Sequence, residues 1–314
     1  MRYLIIGGTS IFGEGLIDSL LSKDSTEKII ATKLASEKSI DRENLEWKDL
    51  DLRNAEETNM ILEEAAADII FDLAAQDSVG YSWKKPVDTV DVNVVGTINL
   101  LNALRDKSPN SRLVIGGSGE EYGMLPFSEL PVREDTITHP NNIYGATKAS
   151  QTMFAKLYHD AFNLDIVILR VFYGISTKQG EKFAVSSFCK QFAEIEAGLK
   201  EPVIYVGNIN NLRDFTDIDD IVEAYLSVAE NGKSGEIYNA ARGDKTSLLD
   251  VIYMLEELTD ITVEIHAETE RVRPMDSPAM IADTSRIKKD TGWEARTPIQ
   301  ETIEKMLDYW RQNI

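Results

Sequence analysis

Tyr144 and Lys148 stand four residues apart in the run NIYGATK, which begins at Asn142. On a helix, side chains four residues apart share a face, so the lysine ammonium can lie beside the tyrosine hydroxyl. A phenol ordinarily has a pKa of about 10, and a fixed cation beside it favours the phenolate. The pair therefore predicts a tyrosine that exchanges protons, although the same spacing is also typical of a solvent-exposed helix face.

A glycine-rich turn follows the first apolar segment of the chain and leads into a segment of helical period. Glycines at such a turn let the backbone approach a pyrophosphate, which then lies at the positive N-terminus of the helix. We therefore predict a dinucleotide site at this turn. Its residues are Gly7, Thr9, Ser10, Ile11, Phe12 and Gly13.

The end of the second predicted strand bears on which dinucleotide is bound. It reads Thr32-Lys33 and lacks the Asp or Glu that would bind a ribose 2′-hydroxyl at this place. Thr32 and Lys33 can instead accept a 2′-phosphate, which favours NADP(H), with NAD(H) as the alternative. An ordinary surface lysine is an equally good interpretation of Lys33.

Two further segments are predicted to line the dinucleotide. Asp51 and Leu52 follow the third predicted strand, where Asp51 can bind the adenine amino group. Leu73, Ala74 and Ala75 close the fourth strand, and the two alanines allow close approach of the cofactor.

Apolar segments of strand length alternate with segments of helical period in the first half of the chain. This alternation predicts right-handed βαβ units and a parallel sheet covered on both faces, an α/β fold of the doubly wound Rossmann type. The pattern is less regular after about Tyr173, which predicts a smaller α/β substrate-binding domain at the carboxyl edge of the sheet.

We expect the Rossmann domain at 1–172 plus about 214–243, and the substrate domain at 173–213 and 244–314. Strands are predicted over Arg2–Ile6, Lys28–Thr32, Ile69–Leu73, Leu113–Gly116, Ile166–Val171, Val203–Val206 and Glu236–Asn239. Helices are predicted near Gly13–Leu21, Ala55–Ala66, Val90–Arg105, Tyr144–Ala161, Ala184–Ala197, Ile218–Ala229, Leu248–Leu258 and Ile299–Trp310.

Charge and composition narrow the class of partner. The 314 residues carry a formal net charge of −20, which argues against nucleic acid and anionic membranes as partners. No apolar run is long enough to span a bilayer, and the apolar run at the start is too short for a signal peptide. Cys189 is the only cysteine, so we expect a reducing compartment, the cytoplasm. We expect no metal.

Ser118 follows the fifth predicted strand, in the run GGSGEEYG. A serine at the tip of a central strand can donate a hydrogen bond to a carbonyl oxygen, and Ser118, Tyr144 and Lys148 form a Ser–Tyr–Lys set. With this set, the whole chain resembles the extended short-chain dehydrogenase/reductase family that acts on nucleotide sugars. The matching segments are Gly7–Gly13, LAA at 73–75, NVVGT at 93–97, Ser118, Tyr144 with Lys148, RDFTD at 213–217, RP at 273–274 and TGW at 291–293.

The resemblance implies a role for each member of the set. Tyr144 exchanges a proton with the sugar oxygen, Lys148 binds the nicotinamide ribose and lowers the tyrosine pKa, and Ser118 orients the carbonyl. Hydride then passes between the nicotinamide and C4 of the sugar, with Val171 expected beside the cofactor. The family also implies a homodimer built from two helices per subunit, one of them the helix that carries Tyr144.

The second half of the chain is most similar to GDP-6-deoxy-4-keto-mannose reductases and GDP-mannose 4,6-dehydratases. VGNI at 206–209 and RVRPMDSP at 271–278 resemble their nucleotide-binding segments, and Arg213 and Arg273 each offer a planar fork of donors to a diphosphate. A surface salt bridge is the alternative role for each arginine. The substrate-binding residues expected are Ser78, Asn93, Tyr173, Lys190, Val206, Asn208, Arg213 and Arg273.

The choice between reductase and dehydratase depends on the run that follows Ser118. Glu120 matches the glutamate of the dehydratases, but Gly119 offers no side chain where they carry Ser or Asp, and the similar reductases also keep a Glu-Glu pair. We therefore favour reduction at C4. The alternatives are a 4,6-dehydratase, a 4-epimerase or C4 dehydrogenase that retains NAD, and, from a different class, a non-catalytic nucleotide-binding protein.

Three residues depart from the family pattern. Ser10 replaces the central glycine of the turn, Asp72 stands where histidine is common, and Tyr173 takes the place of the usual asparagine. In the family that this chain resembles, the positions around Tyr173 line the sugar, so the change at Tyr173 bears on which sugar is bound.

Overall fold

The computed structural model describes residues 1–268 and 277–314. Its strands are β1 (Arg2–Ile6), β2 (Lys28–Lys33), β3 (Leu45–Asp49), β4 (Ile69–Asp72), β5 (Arg112–Ser118), β6 (Ile166–Val171), β7 (Tyr173–Ile175), β8 (Val203–Val206), β9 (Leu212–Arg213), β10 (Phe215–Asp217), β11 (Ile237–Ala240), β12 (Thr246–Ser247), β13 (Glu264–Ala267) and β14 (Ala279–Met280). Its helices are α1 (Ile11–Leu21), α2 (Ala55–Ala65), α3 (Val79–Lys84), α4 (Pro86–Val90), α5 (Gly96–Lys107), α6 (Ile143–Phe162), α7 (Ala184–Glu196), α8 (Ile218–Asn231), α9 (Leu248–Thr259), α10 (Ser285–Thr291) and α11 (Ile299–Arg311). Short 3₁₀ turns lie at Gly119–Glu121 and Phe127–Glu129, and a π-helical turn lies at Asp91–Val95.

The main sheet is parallel and has β1 near its centre. In the described part of the chain, seven strands pair in the order β11-β6-β5-β4-β1-β2-β3, and each pairing is parallel. The order of the strands reverses between β1 and β4, which opens a crevice outside the carboxyl ends of these strands, the place where such sheets bind ligands. The predicted α/β fold with a doubly wound sheet is confirmed.

Apolar side chains alternate between the two faces of the sheet. Tyr3 and Ile5 of β1 lie in a core that includes side chains of α1 and α8, whereas Leu4 and Ile6 lie in a core with α2, α5 and α6. A sheet covered on both faces requires strands that are apolar on both sides, which is why these strands read as continuous apolar runs.

A separate apolar core lies in the second half of the chain. Helices α7, α9 and α11 contribute Phe188, Phe192, Leu255 and Ile303, and Ile204 of β8 joins them. Small sheets flank this core: β7 pairs with β10, β13 pairs with β8, and β9 lies between β12 and β14. The domain boundaries given above remain a prediction.

The helix predicted over Val90–Arg105 is interrupted in the structure. Helix α4 ends at Val90, the π-helical turn follows, and α5 begins at Gly96. Asn93 lies in this turn with its side chain fully buried; its amide oxygen accepts from the Gln76 amide at 2.8 Å and its Nδ2 donates to Thr147 Oγ1 at 2.9 Å. The wide turn thus lets a polar side chain reach inward and fix the segment after β4 against α6.

The expected substrate role of Asn93 is corrected by this geometry. Its side chain is 0% exposed and holds Gln76 and Thr147 instead of facing the crevice.

None of the helices in the described residues is long and apolar enough to cross a membrane.

Candidate active site

The glycine-rich turn packs tightly against the end of β4. Gly7 has φ +80°, and a Cβ at this position would lie 2.9 Å from the Ala74 amide nitrogen. A Cβ at Gly13 would lie 2.5 Å from the Gly7 carbonyl oxygen. Both positions therefore require glycine.

Ser10 takes over a structural role in place of the expected central glycine. Its φ is −69°, a conformation open to any residue, and it caps the N-terminus of α1. Its Oγ accepts from the Gly13 amide at 3.0 Å and donates to the Gly7 carbonyl oxygen at 2.7 Å. The serine therefore closes the turn without straining it.

The turn fits a pyrophosphate. The amides of Ile11 and Phe12 begin α1 and have no acceptor within the helix, so they are available to an anion at its positive end. Ala74 and Ala75 follow β4 directly beside Gly7, and the Leu73 amide donates to the Ile6 carbonyl oxygen at 3.0 Å. Their small size leaves the backbone of the turn open to a ligand on this side.

Thr32 and Lys33 are not placed as a 2′-phosphate site would require. Thr32 is 1% exposed, and its Oγ1 accepts from the Gly7 amide at 3.2 Å, so it supports the turn. Lys33 Nζ pairs with Asp49 Oδ1 at 2.6 Å, so its charge is already compensated. Thr32 and Lys33 thus both have partners within the protein, and the choice between NADP(H) and NAD(H) stays a prediction.

Asp51 and Leu52 lie after β3 as predicted. Asp51 is bound by Arg53 through its Nε at 3.0 Å and Nη2 at 2.6 Å, and this contact holds the pKa of the Asp51 carboxyl below its usual value. Leu52 is buried, and its carbonyl oxygen accepts from Asn99 Nδ2 at 2.8 Å. Val171, at the end of β6, is also buried and lies in register with Ser118.

Ser118 and Tyr144 are brought into contact by the ends of β5 and α6. Asn142 caps α6 by accepting from the Gly145 amide at 2.8 Å, which sets the helix start one residue before Tyr144. The Ser118 side chain lies near enough to the Tyr144 hydroxyl to affect its pKa. Burial raises the pKa of Tyr144 above its usual value, whereas Ser118 lowers it and nearby carboxylates raise it further. Tyr144 is therefore a protonated donor at neutral pH.

Lys148 is buried on the same helix and is directed at the sheet. Its Nζ donates to the Gly116 carbonyl oxygen at 2.8 Å. Burial lowers the pKa of Lys148, and the carboxylate of Asp72 acts against this. The expected lowering of the Tyr144 pKa by Lys148 is not found in this structure, because the ammonium serves Gly116 and Asp72.

Asp72 is a buried carboxyl beneath the site. It is 2% exposed, and among the described residues neither of its carboxylate oxygens has a hydrogen-bond partner of good geometry. Burial raises the pKa of Asp72 to about 6, an effect that Lys148 and the Ala74 amide reduce.

Glu121 and Arg170 form a buried ion pair that sequence reasoning missed. Glu121 Oε1 accepts from the Ser118 amide at 2.9 Å. Its Oε2 accepts from Arg170 Nε and from Thr152 Oγ1, both at 2.8 Å. One fully buried carboxylate thus joins β5, β6 and α6 behind Ser118. The signal in the sequence was an arginine inside the apolar strand IVILRV.

Glu120 lies on the solvent side of the set and is held from two directions. Its Oε2 accepts from Asn142 Nδ2 at 2.8 Å, and its Oε1 accepts from the Tyr173 hydroxyl at 3.2 Å. The Arg213 guanidinium lies 5.1 Å from the centre of the Tyr173 ring, and its Nη1 donates to the Ser277 carbonyl oxygen at 2.8 Å. Tyr173 therefore connects the catalytic candidates with a candidate diphosphate ligand.

The remaining substrate candidates do not all converge on this set. Ser78 caps α3 by accepting from the Tyr81 amide at 3.2 Å. Lys190 is paired with Glu181 and lies 5.3 Å from the ring of Trp310, so its charge is compensated within the protein.

The expected nucleotide segment at 206–209 is only partly exposed. Val206 is 1% exposed and belongs to the second apolar core, which leaves only its backbone to contact a ligand. Asn208 is exposed, and its Nδ2 donates to Asn211 Oδ1 at 2.9 Å. Arg273 lies outside the described residues.

Comparison with known proteins shows which family, which relative and which solved structures this chain is similar to. A family model described as GDP-mannose 4,6 dehydratase matches residues 4–306. GDP-6-deoxy-D-mannose reductase from Pseudomonas aeruginosa is 27% identical over 247 residues, which cover 79% of this chain and 81% of that protein. UDP-glucose 4-epimerase from Thermotoga maritima, solved with UDP-glucose, superposes with a TM-score of 0.89 at 24% identity, covering 100% of this chain and 99% of that chain. RMD from Pseudomonas aeruginosa, solved with NADPH, has a TM-score of 0.84 at 23% identity, covering 100% of both chains. These two structures share the fold of this chain.

Proposed function

The chain belongs to the GDP-mannose 4,6-dehydratase family of extended short-chain dehydrogenases/reductases, and on this premise we propose that it reduces a GDP-linked 4-keto-6-deoxy sugar. In general terms, the chain is an NAD(P)-dependent enzyme that modifies nucleotide sugars. The observation that carries the finer proposal is the packing at Gly119, next to the Ser118–Tyr144 contact.

Gly119 is tightly packed at the position where elimination would use a second acid–base side chain. A Cβ at this position would lie 3.0 Å from Cδ1 of Phe172, so the Ser or Asp of dehydratases does not fit without movement of the ring. Glu120 is the carboxylate that remains, and both its oxygens are held by Asn142 and Tyr173. This arrangement supports simple redox chemistry at C4 over removal of water.

The side chains of the set fit the reductive direction. A nicotinamide dinucleotide bound along the Gly7–Gly13 turn would supply the hydride. The hydroxyls of Ser118 and Tyr144 together offer hydrogen bonds to a carbonyl oxygen, and Tyr144, protonated because burial raises its pKa, donates the proton that the product alkoxide needs. Lys148 supplies positive charge in the same pocket, which favours a negative oxygen on the substrate.

The test is consumption of reduced nicotinamide in the presence of freshly made GDP-4-keto-6-deoxymannose. We expect the absorbance of NADH or NADPH to fall with wild-type protein and not with Tyr144→Phe, which should still bind the dinucleotide. No consumption with this or a related GDP-ketosugar would refute the reductase proposal.

A nucleotide-sugar 4-epimerase that retains NAD is the second candidate. The pairing of Lys33 with Asp49 favours it, because a retained NAD needs no site for a 2′-phosphate. This reading expects nucleotide released from denatured protein and inversion at C4 without added cofactor.

We also propose a homodimer in which α6 contributes to the interface. Met153 is 61% exposed and Leu157 is 55% exposed on α6, whereas Phe154 packs into the core beneath. Exposed apolar side chains one turn apart are typical of a surface that another helix covers. Light scattering should give twice the monomer mass, and Met153→Lys with Leu157→Glu should reduce it to that of the monomer.

A further inference from the structure

Glu37 presents a fixed carboxylate at the carboxyl end of β2. Its Oε2 accepts from Thr9 Oγ1 at 2.7 Å and from the Leu34 amide at 3.0 Å. Thr9 belongs to the glycine-rich turn and Leu34 directly follows β2, so the carboxylate spans the two elements that hold a dinucleotide. Among the described residues, no donor is directed at the other oxygen, Oε1, which is therefore available to a ligand.

The basic residues around Glu37 are largely compensated. Lys33 is paired with Asp49, and Arg42 is paired with Asp18. Lys38 is the neighbouring cation for which the described residues show no ion pair. A phosphate monoester carries about 1.5 to 2 negative charges at pH 7 and would meet Glu37 with little positive charge to offset it.

We propose that Glu37 binds the adenosine ribose hydroxyls and makes this enzyme select NAD(H) over NADP(H). In parallel-sheet dinucleotide folds, an Asp or Glu roughly 20 residues beyond the glycine turn hydrogen-bonds the ribose 2′-hydroxyl. Glu37 supplies that carboxylate from the loop after β2 and not from the strand end, where Thr32 and Lys33 stand.

Thr9 acts as a positioning residue for this carboxylate. Its hydroxyl donates to Glu37 and so holds the otherwise exposed side chain against the turn. Replacement of Thr9 by valine should therefore change the cofactor preference in the same direction as loss of the charge on Glu37, and by a smaller factor.

The inference rests on the proposed function only through the shared dinucleotide site, and it can be tested without any sugar. Trp47 packs against Gly8, so its fluorescence reports on ligands at the turn. Titration of wild-type protein with NADH, NADPH, NAD⁺ and NADP⁺, checked by calorimetry, should show the 2′-hydroxyl forms binding at least about 10-fold more tightly.

Glu37→Gln should lower the preference for NAD(H) over NADP(H) by about 10- to 100-fold. The variant loses a charge-assisted hydrogen bond to NAD(H), and it also loses the charge repulsion toward the 2′-phosphate of NADP(H). The matched control is Glu43→Gln, which removes the same charge from the same exposed loop and should leave the preference unchanged. Lys38→Gln tests the rival reading, in which this lysine binds a 2′-phosphate and its loss weakens NADPH binding selectively.

The possible outcomes distinguish failure of the cofactor inference from failure of the reductase proposal. Tighter binding of NADP(H) by wild-type protein, or a preference unaffected by Glu37→Gln, overturns the inference and leaves the reductase proposal standing. Selective NAD(H) binding without turnover of a ketosugar upholds the inference and refutes the reductase. Absence of any dinucleotide binding overturns both.

Discussion

Replacing Glu121 by glutamine removes one charge from the ion pair buried behind Ser118. The carboxylate accepts from the Ser118 amide, from Arg170 and from Thr152. Glutamine has one acceptor oxygen, so its amino group must face either the Ser118 amide or the guanidinium, and both of these are donors. At least one buried bond is therefore lost in either orientation.

The cost follows from the burial of both partners. The side chain of Glu121 is 0% exposed and that of Arg170 is 4% exposed, so water cannot replace the missing partner. Breaking such a pair costs about 3–5 kcal/mol of the free energy of unfolding. For a chain of this size, that corresponds to a fall of roughly 5–8 °C in Tm.

Denaturation in urea, followed by circular dichroism, measures this cost. Glu129→Gln is the matched control, because Glu129 is exposed and its replacement should change the free energy of unfolding by less than about 0.5 kcal/mol. Arg170→Gln should be as destabilising as Glu121→Gln, whereas the double variant, with two amides facing each other, should cost roughly 1–3 kcal/mol less than the sum of the single variants.

Two results would refute this reasoning. A loss below about 1 kcal/mol in Glu121→Gln would show that the pair is not desolvated as the structure has it. Strictly additive effects in the double variant would show that Glu121 and Arg170 do not interact.

Three further outcomes are expected. Tyr144→Phe should lower turnover at least about 100-fold and leave dinucleotide binding intact, so an active variant would remove Tyr144 as the proton donor. Asp72→Asn should stabilise the protein by about 1–3 kcal/mol above pH 6. Because burial raises the pKa of Asp72 from 3.8 to about 6, wild-type stability falls as the pH rises through this window, and the advantage of the variant should vanish near pH 4 in thermal unfolding. Gly13→Ala should abolish dinucleotide binding, because its Cβ would lie 2.5 Å from the Gly7 carbonyl oxygen, whereas Gly180→Ala, with nothing within 4 Å, should be silent in the same titration.

Much of the fold was predictable because the spacing of apolar residues within each segment indicates a strand or a helix. The strands at Arg2–Ile6, Ile166–Val171 and Val203–Val206 have the predicted bounds, and most predicted helices differ from the observed ones by one or two residues. The interruption at Asp91–Val95 was not predictable, because a single π-helical turn of five residues is too short to change the apolar period that is read over a longer window. It is stabilised by Asn93 contacts with Gln76 and Thr147, and the latter is far away in the chain.

The sequence by itself determined the type of site. Apolar period, a glycine turn after the first strand, and the order of Ser118, Tyr144 and Lys148 predicted an α/β dinucleotide fold with a hydroxyl-based proton donor, because each is a local pattern tied to one element. The proximity of Ser118 and Tyr144 then follows from where β5 ends and α6 begins.

Only the tertiary structure decided what surrounds that set. Glu37 meets Thr9 across 28 residues, and Glu121 meets Arg170 across 49 residues, so neither contact has a local signature. The same holds for Lys148, which the fold directs to Gly116 and Asp72 instead of Tyr144. The pKa of each ionisable side chain depends on its burial and on partners that are distant in the sequence, and both are set only once the chain is folded.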